Sequence, residues 1–481
     1  MALTKNRGVR TTHPDYEGYA AKWKRCRDAI AGEDAVHAAG TTYLPKLTDQ
    51  LDPDYQAYKL RASFFNASWR TIQGFLGMLF RKDPALKVPG AIESYLDDVT
   101  MSGQSFLSFA KATAFEVLAV GRVGVLVDHP ARPENVSAIT LDTATRLGLR
   151  PTLQSYPAES IINWSYKRID NQWTLAMVVL KECVREQGDN EFETIEHEQY
   201  RVLDLVPNAR NQMSYRQRVF RIIKDKDVQI GGDAFPLLNG VPLPRIPFKC
   251  IGPDGEEMAL DDPPLIDLIN LNLSHYRTTA NLEHILYFAP PTFYLAGHIL
   301  GENESVAIGG DKMLVFAEPD AKVGVAEPRG DAIPAVERSL DRKERQMAVM
   351  GARMLADEKS QVETLGATAI KRTGENSALS SVAISVSEAL KAQLELFAQW
   401  GGASGEVVFD INREFLPVTM SAQELTALVA AQQAGAISEA ELFELLKRGD
   451  VIDGEKTLEE HQGEIDIAPA MPKPAKVGVA A

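Results

Sequence analysis

The chain has 481 residues, 45% of them hydrophobic and 24% charged, so it can bury sizeable cores, and length alone points to about two to four domains. Lys and Arg number 51 against 66 Asp and Glu, a net charge of −15, which argues against a protein that grips nucleic acid by broad phosphate neutralisation but is compatible with DNA sliding past like-charged walls. Its three cysteines, Cys26, Cys183 and Cys250, stand far apart with neither CxxC nor zinc-ligand spacing, which argues for reduced thiols in a cytoplasm, not a disulfide framework.

In chain order, residues 1–50 read as an irregular arm with one helical patch at Tyr19–Ala31. The opening MALTKNRGVRTTHPDYEGY has no apolar stretch of the signal-peptide kind, and the longest purely apolar runs, such as Leu175–Leu180, are too short to span a bilayer. Tyr58, Phe65, Trp69, Ile72, Leu76 and Leu79 recur at helical gaps and predict one helix over Asp54–Phe80. A second helix is expected over Ser105–Val120, ending at Gly121, with a buried strand at Arg122–Val127. From Pro151 to Phe248 the period shifts toward two. Trp173–Arg185, Phe192–Leu205 and Tyr215–Ile223 then read as strands of an antiparallel meander, with turn signals at Gly188-Asp189-Asn190 and Pro207-Asn208.

The midsection carries the clearest periodicity. Asp267, Asn270, Ser274, Arg277, Asn281 and His284 form a polar stripe on a helix over Leu265–Ala289, and Ile266, Ile269, Leu273, Tyr276 and Ala280 form an apolar one. Pro290-Pro291 stops that helix and Pro334 can open the next, Pro334–Asp357. Between them, Lys312–Phe316 and Lys322–Ala326 can form a hairpin across Glu318-Pro319-Asp320. Two helices of this length with a small β module at their far end suggest a stalk. The run Glu337–Arg345 (ERSLDRKER) reads as a solvated or intersubunit face. Gly366 and Gly374 bracket a polar break holding Lys371 and Arg372. A further helix, capped by Asn376 or Ser377, then reaches Trp400, followed by a strand at Glu406–Phe415. Ser421-x-x-Glu424 and Ser438-x-x-Glu441 are capping boxes, and Gly435 and Gly449 sit where helix C-caps belong, which predicts a helical hairpin. From about Ile465 the composition turns to Pro, Ala, Lys and Val, the signature of a disordered tail.

No catalytic constellation appears, so no enzyme, cofactor or metal is expected. There is no GxxxxGK[ST]. His197-Glu198 does not open an HExxH, because Arg201 holds the second histidine's place, and His275 and His284 are nine apart on one helix. The Gly-Ala-Ser-Gly at 402–405 lacks the strand–nucleophile–helix setting of a nucleophile elbow.

The order of parts resembles a tailed-bacteriophage portal protein. The resemblance rests on YKLRASFFNASWRTIQGFLGMLFRKDP at 58–84, GRVGVLVDHP at 121–130, PPLIDLINLNLSHYRTTANLEHILYFAPPTFYLAG at 263–297 and GENSALSS at 374–381, and it covers about 50–455. It implies an α+β, mainly helical portal fold. After the N-terminal arm (1–50) would come a wing of helices plus meander (51–262), stem helix 1 (263–289), a small β clip (290–333) and stem helix 2 (334–357). A tunnel-loop region with the long helix and a wing-return strand (358–419), a helical crown (420–455) and a flexible tail (456–481) would follow. The implied role is a homo-oligomeric ring of twelve copies at one capsid vertex of a virion, without membrane contact. Its partners would be weakly held duplex DNA in the channel, the terminase large subunit, a head–tail adaptor, and the major capsid and scaffolding proteins. On that template Lys359, Lys371 and Arg372 are DNA-channel candidates, and Ile266, Ile269, Leu273 and Tyr276 are stem-interface candidates. A head–tail connector or minor capsid protein, or a processing enzyme of a phage head, are the alternatives.

Overall fold

The computed structural model describes residues 8–130, 147–188, 190–255, 259–288, 292–296, 322–326, 333–353, 377–413 and 437–448, with isolated positions 415, 428, 432 and 458. It is an α+β protein in two compact units, Met1–Arg413 and Glu414–Ala481.

The first unit opens with α1 (Tyr16–Ala31) and α2 (Glu33–Ala39). The helical patch expected at Tyr19–Ala31 lies within α1, but the stretch around it, expected to be an irregular arm, packs into the core. Trp23, Cys26 and Ala29 of α1 are fully buried, three residues apart, as an inward helix face requires. Arg27 holds α1 in place, pairing with Glu116 at 2.5 Å and Glu159 at 2.9 Å. The single helix expected over Asp54–Phe80 is two, α3 (Asp52–Arg61) and α4 (Ala67–Leu79). Asn66 makes the break by capping α4, its Oδ1 accepting from the Trp69 amide at 2.9 Å while its Nδ2 donates to the Ile30 carbonyl at 3.0 Å. Apolar periodicity runs across this break, so spacing alone does not reveal it.

Strand β1 (Ala85–Lys87), the single turn α5 (Gly90–Glu93), α6 (Phe106–Val120) and β2 (Val123–Asp128) follow. Ser105 caps α6, and Gly121 ends it in the left-handed region at φ 76°, where a Cβ would crowd the backbone of Asp262 and Pro263. After β3 (Thr152–Pro157) come the antiparallel strands β4 (Ile161–Ile169), β5 (Gln172–Gln187), β6 (Thr194–Pro207), β7 (Met213–Ile223) and β8 (Lys226–Ala234), paired in that order. The meander therefore has five strands where three were expected. Its edges β4 and β8 carry Asn163, Ser165, Gly231 and Gly232, which hide the alternation. The N-terminal segment covers one face of this sheet: Val9 and Tyr16 pack on Ile162, Val179, Tyr200 and Val202, and His13 stacks on Trp164 at 4.0 Å.

The short pair β9 (Leu237–Leu238) and β10 (Val241–Pro242) leads to β11 (Phe248–Ile251), which completes a second sheet of order β11-β2-β3. Then come α7 (Ile266–Phe288), β12 (Thr292–Ala296), β13 (Lys322–Ala326) and α8 (Ile333–Arg353). The partner of Lys322–Ala326 is Thr292–Ala296, not the expected Lys312–Phe316, a stretch that lies outside the described residues. The last helix of the unit, α9 (Ala378–Trp400), starts at Ser377, whose hydroxyl accepts from the Ser380 amide. It returns to the N-terminal core: Gln393 donates to the Val125 carbonyl at 2.7 Å and Ser385 to Gly252 at 2.6 Å. Strand β14 (Val408–Asp410) pairs with β1, so the strand expected over Glu406–Phe415 is only three residues long.

In the second unit the described helix is α10 (Glu439–Arg448). Its capping box is reciprocal, the Glu441 amide donating to Ser438 Oγ at 3.1 Å and the Ser438 amide to Glu441 Oε2 at 2.8 Å. The box at Ser421 and Glu424, and both expected C-cap glycines, lie outside the described residues.

Candidate functional site

The helix pair α7–α8 is the feature that the sequence singles out. Twenty-three residues make α7 about 35 Å long. The pair runs antiparallel: Lys343 Nζ donates to the Ser274 carbonyl at 3.0 Å and to Thr278 Oγ1 at 2.5 Å, while β12 and β13 pair just beyond Phe288 and before Ile333.

The apolar stripe of α7 is covered by its own chain. Ile269, Tyr276 and Ala280 are fully buried, Leu273 is 4% exposed and Ile266 half-buried. α1 and α3 pack along this helix, and the Tyr276 ring meets His37 of α2 and Phe64 at 5.9 and 5.8 Å. The expectation that Ile269, Leu273 and Tyr276 contact a neighbouring subunit is therefore corrected. Periodicity identifies a buried face, and here α1, α2 and α3 bury it.

A second, polar seam went unnoticed in the sequence. Asn272 is fully buried and satisfied, its Oδ1 accepting from the Ser68 amide at 3.1 Å and hydroxyl at 2.9 Å, its Nδ2 donating to the Phe65 carbonyl at 2.7 Å. One turn on, buried His275 stands 3.3 Å from Glu344 of α8. Both residues fall between the two stripes, and their polar type reads as surface until α4 and α8 are seen to cover them. What α7 leaves exposed is the strip Asp267, Asn270, Arg277 and Asn281, with Leu286, Tyr287 and Phe288 at its end, where the Arg61 guanidinium lies 4.0 Å from the Tyr287 ring. His284 sits against the Tyr58 and Phe288 rings, so the two histidines of α7 do not converge.

Burial lowers the His275 pKa below its usual 6.5, partly opposed by the Glu344 carboxylate, and burial also lowers Lys343, helped by Arg277 and Arg342. For His275 the sign follows directly. With a folded pKa below the unfolded one, the unfolded chain binds more protons as pH falls under 6.5, so stability is lost from there downward. Melting curves should therefore fall between pH 7 and the acid side of 6.5, and His275→Gln should make that fall shallower.

Lys359, Lys371 and Arg372 lie outside the described residues. Among the described residues no group of three His, Cys, Asp or Glu is placed to hold a metal ion, and no helix is long and apolar enough to cross a membrane. Burial pushes the Cys26 thiol up to about 12, which removes it as a nucleophile.

Residues 264–401, which hold α7, the β12–β13 pair, α8 and α9, match the family described as Domain of unknown function (DUF4055). The comparison with curated proteins finds no match. Among solved structures the chain is similar to one from the virion of a native gene transfer agent particle, at 11% identity and TM-score 0.40, covering 87% of this chain and 98% of that one. It is also similar to chains from the neck of the native particle computed with C12 symmetry (12% identity, TM-score 0.39, covering 79% and 89%) and from the neck of the empty particle computed with C6 symmetry (12% identity, TM-score 0.42, covering 83% and 94%). Scores this low do not establish a common fold.

Proposed function

We propose that this chain is a portal-like ring protein of a phage-like particle, without enzymatic activity of its own, through which viral DNA enters and leaves a capsid at one vertex. The observation that carries the reading is the order helix, two-stranded module, helix: two long antiparallel helices joined through β12 and β13 within the very stretch of sequence that resembles portals. A coarser reading, a structural component of a phage-like head or neck such as a connector, needs only the ring and not the DNA channel. On the portal reading the ring holds duplex DNA weakly, docks the terminase large subunit during packaging and later a head–tail adaptor, and sits among major capsid and scaffolding proteins.

The net charge of −15 keeps DNA mobile along the channel, and Lys359, Lys371 and Arg372 are its proposed phosphate contacts. Gly366 and Gly374 bracket the Lys371–Arg372 pair. The double change Lys371→Ala, Arg372→Ala should leave assembly intact and lower DNA retention, with an effect that shrinks as salt shortens the reach of the charges from about 8 Å at physiological strength. Equal retention by parent and variant at low salt contradicts the contact. Mass photometry at micromolar protein tests the ring itself, because assembly obeys mass action; a single-chain mass throughout contradicts it.

A further inference from the structure

We propose that the groove between α4 and α8 receives α3 of a neighbouring copy of this chain, an inference that rests on the ring reading above. The groove has a volume of about 510 Å³. Buried Phe75 and Met347 form its floor, and Gly74, Ala348 and Gly351 stand along its sides. Phe65, which also lines the groove, is 39% exposed, so an apolar ring at its mouth stays open to solvent.

One glycine points to close approach from outside. Gly74 lies inside α4 and lines the groove, and a Cβ built on it meets nothing within 4 Å. A glycine in a helix interior is about 1 kcal/mol worse than alanine. Crowding within the chain does not account for that loss, whereas a helix backbone seated against this face does.

The occupant is argued from the other side of the same chain. α3 buries Tyr55 and Tyr58 and turns Pro53, Ala57 and Leu60 outward at three- and four-residue gaps. Leu60 is 81% exposed, and Leu51 at the helix start 68%. None of α3 lines the groove of its own chain. Exposed Asp54 on the ridge matches exposed Arg70 on the groove. At ten residues α3 is about 15 Å long, a compact helical ridge. An apolar ridge and a separate apolar groove on one chain are the two halves of a heterologous contact, the kind that closes into a ring.

The test uses the full chain in a Cys183→Ser background, which leaves only buried Cys26 and Cys250. Leu60→Glu and Gly74→Leu should each melt at or near the parent temperature, since one side chain is exposed and the other enters open space. Both should cut the ring population at micromolar protein by about tenfold or more, because an unpaired carboxylate or a filled groove opposes docking. Oxidation of a chain carrying Ala57→Cys and Gly74→Cys should give a ladder of covalent multimers that neither single change gives. Rings from parent and both variants alike, with no ladder, overturn the inference while leaving the ring reading intact and hand the groove to another occupant. A parent that is a single chain at micromolar concentration overturns both.

Discussion

Ile269→Asp should unfold the chain rather than yield a folded monomer that fails to assemble. Ile269 is fully buried against its own chain, so the carboxylate would lose water with no partner present. Such a group costs several kcal/mol even after its pKa adjusts, a large share of the about 5–15 kcal/mol that holds a domain together. Tyr276→Asp should behave likewise, since the ring it removes packs between His37 and Phe64. Arg277→Ala, on the exposed strip of the same helix, should change stability by no more than about 0.5 kcal/mol. Urea unfolding followed by circular dichroism separates these outcomes. A well-folded Ile269→Asp monomer would return that stripe to an intersubunit role.

The second large effect is expected where the two main sheets meet. Arg201 of β6 donates to Glu182 of β5 at 2.7 Å, and to Asp128 at the end of β2 and Gln217 of β7 at 3.2 and 3.3 Å. Gln217 donates in turn to Asp128 at 2.9 Å, and Tyr156 of β3 to Glu182 at 2.7 Å. Arg201, Glu182 and Asp128 side chains are only 18%, 13% and 17% exposed, so the cluster is largely out of water. Arg201→Met would leave two largely buried carboxylates without their cation, at a cost of about 3–5 kcal/mol. The triple change Arg201→Met, Glu182→Gln, Asp128→Asn should cost less than the single one, because no unpaired charge remains. Equal stability of parent and Arg201→Met would mean that the cluster is solvated and contributes nothing to joining the sheets.

Much of the helical framework was legible because it is local. Ser105, Ser377 and Ser438 cap helices where their side chains can reach amides three residues on, a relation written into the sequence itself. The central strands of the meander were legible for a similar reason, since one face is buried and alternation follows. The edges were not, because β8 (KDVQIGGDA) depends on pairing with β7 rather than on its own composition. Asn66 was hidden for the opposite reason: the apolar rhythm is continuous across it, and only its contacts with Trp69 and Ile30 reveal the break.

The rhythm of Ile269, Leu273 and Tyr276 correctly marks a face withdrawn from water, but spacing carries no information about which chain withdraws it. The N-terminal segment that supplies the cover has few strong local signals, and reading it as an arm left the stripe without an intrachain partner. Asn272 and His275 needed Ser68, Phe65 and Glu344, residues distant in sequence, before their burial made sense.

On the proposed reading, copies of this chain close into a ring around a channel that admits duplex DNA. Negative-stain microscopy of the purified protein at micromolar concentration tests it most directly. End-on class averages should show rotational symmetry and a central hole wide enough for a duplex, from particles that lose the hole's symmetry neither with added salt nor with Lys371→Ala, Arg372→Ala. Discrete compact particles of single-chain size, or closed oligomers without a central hole, would contradict it.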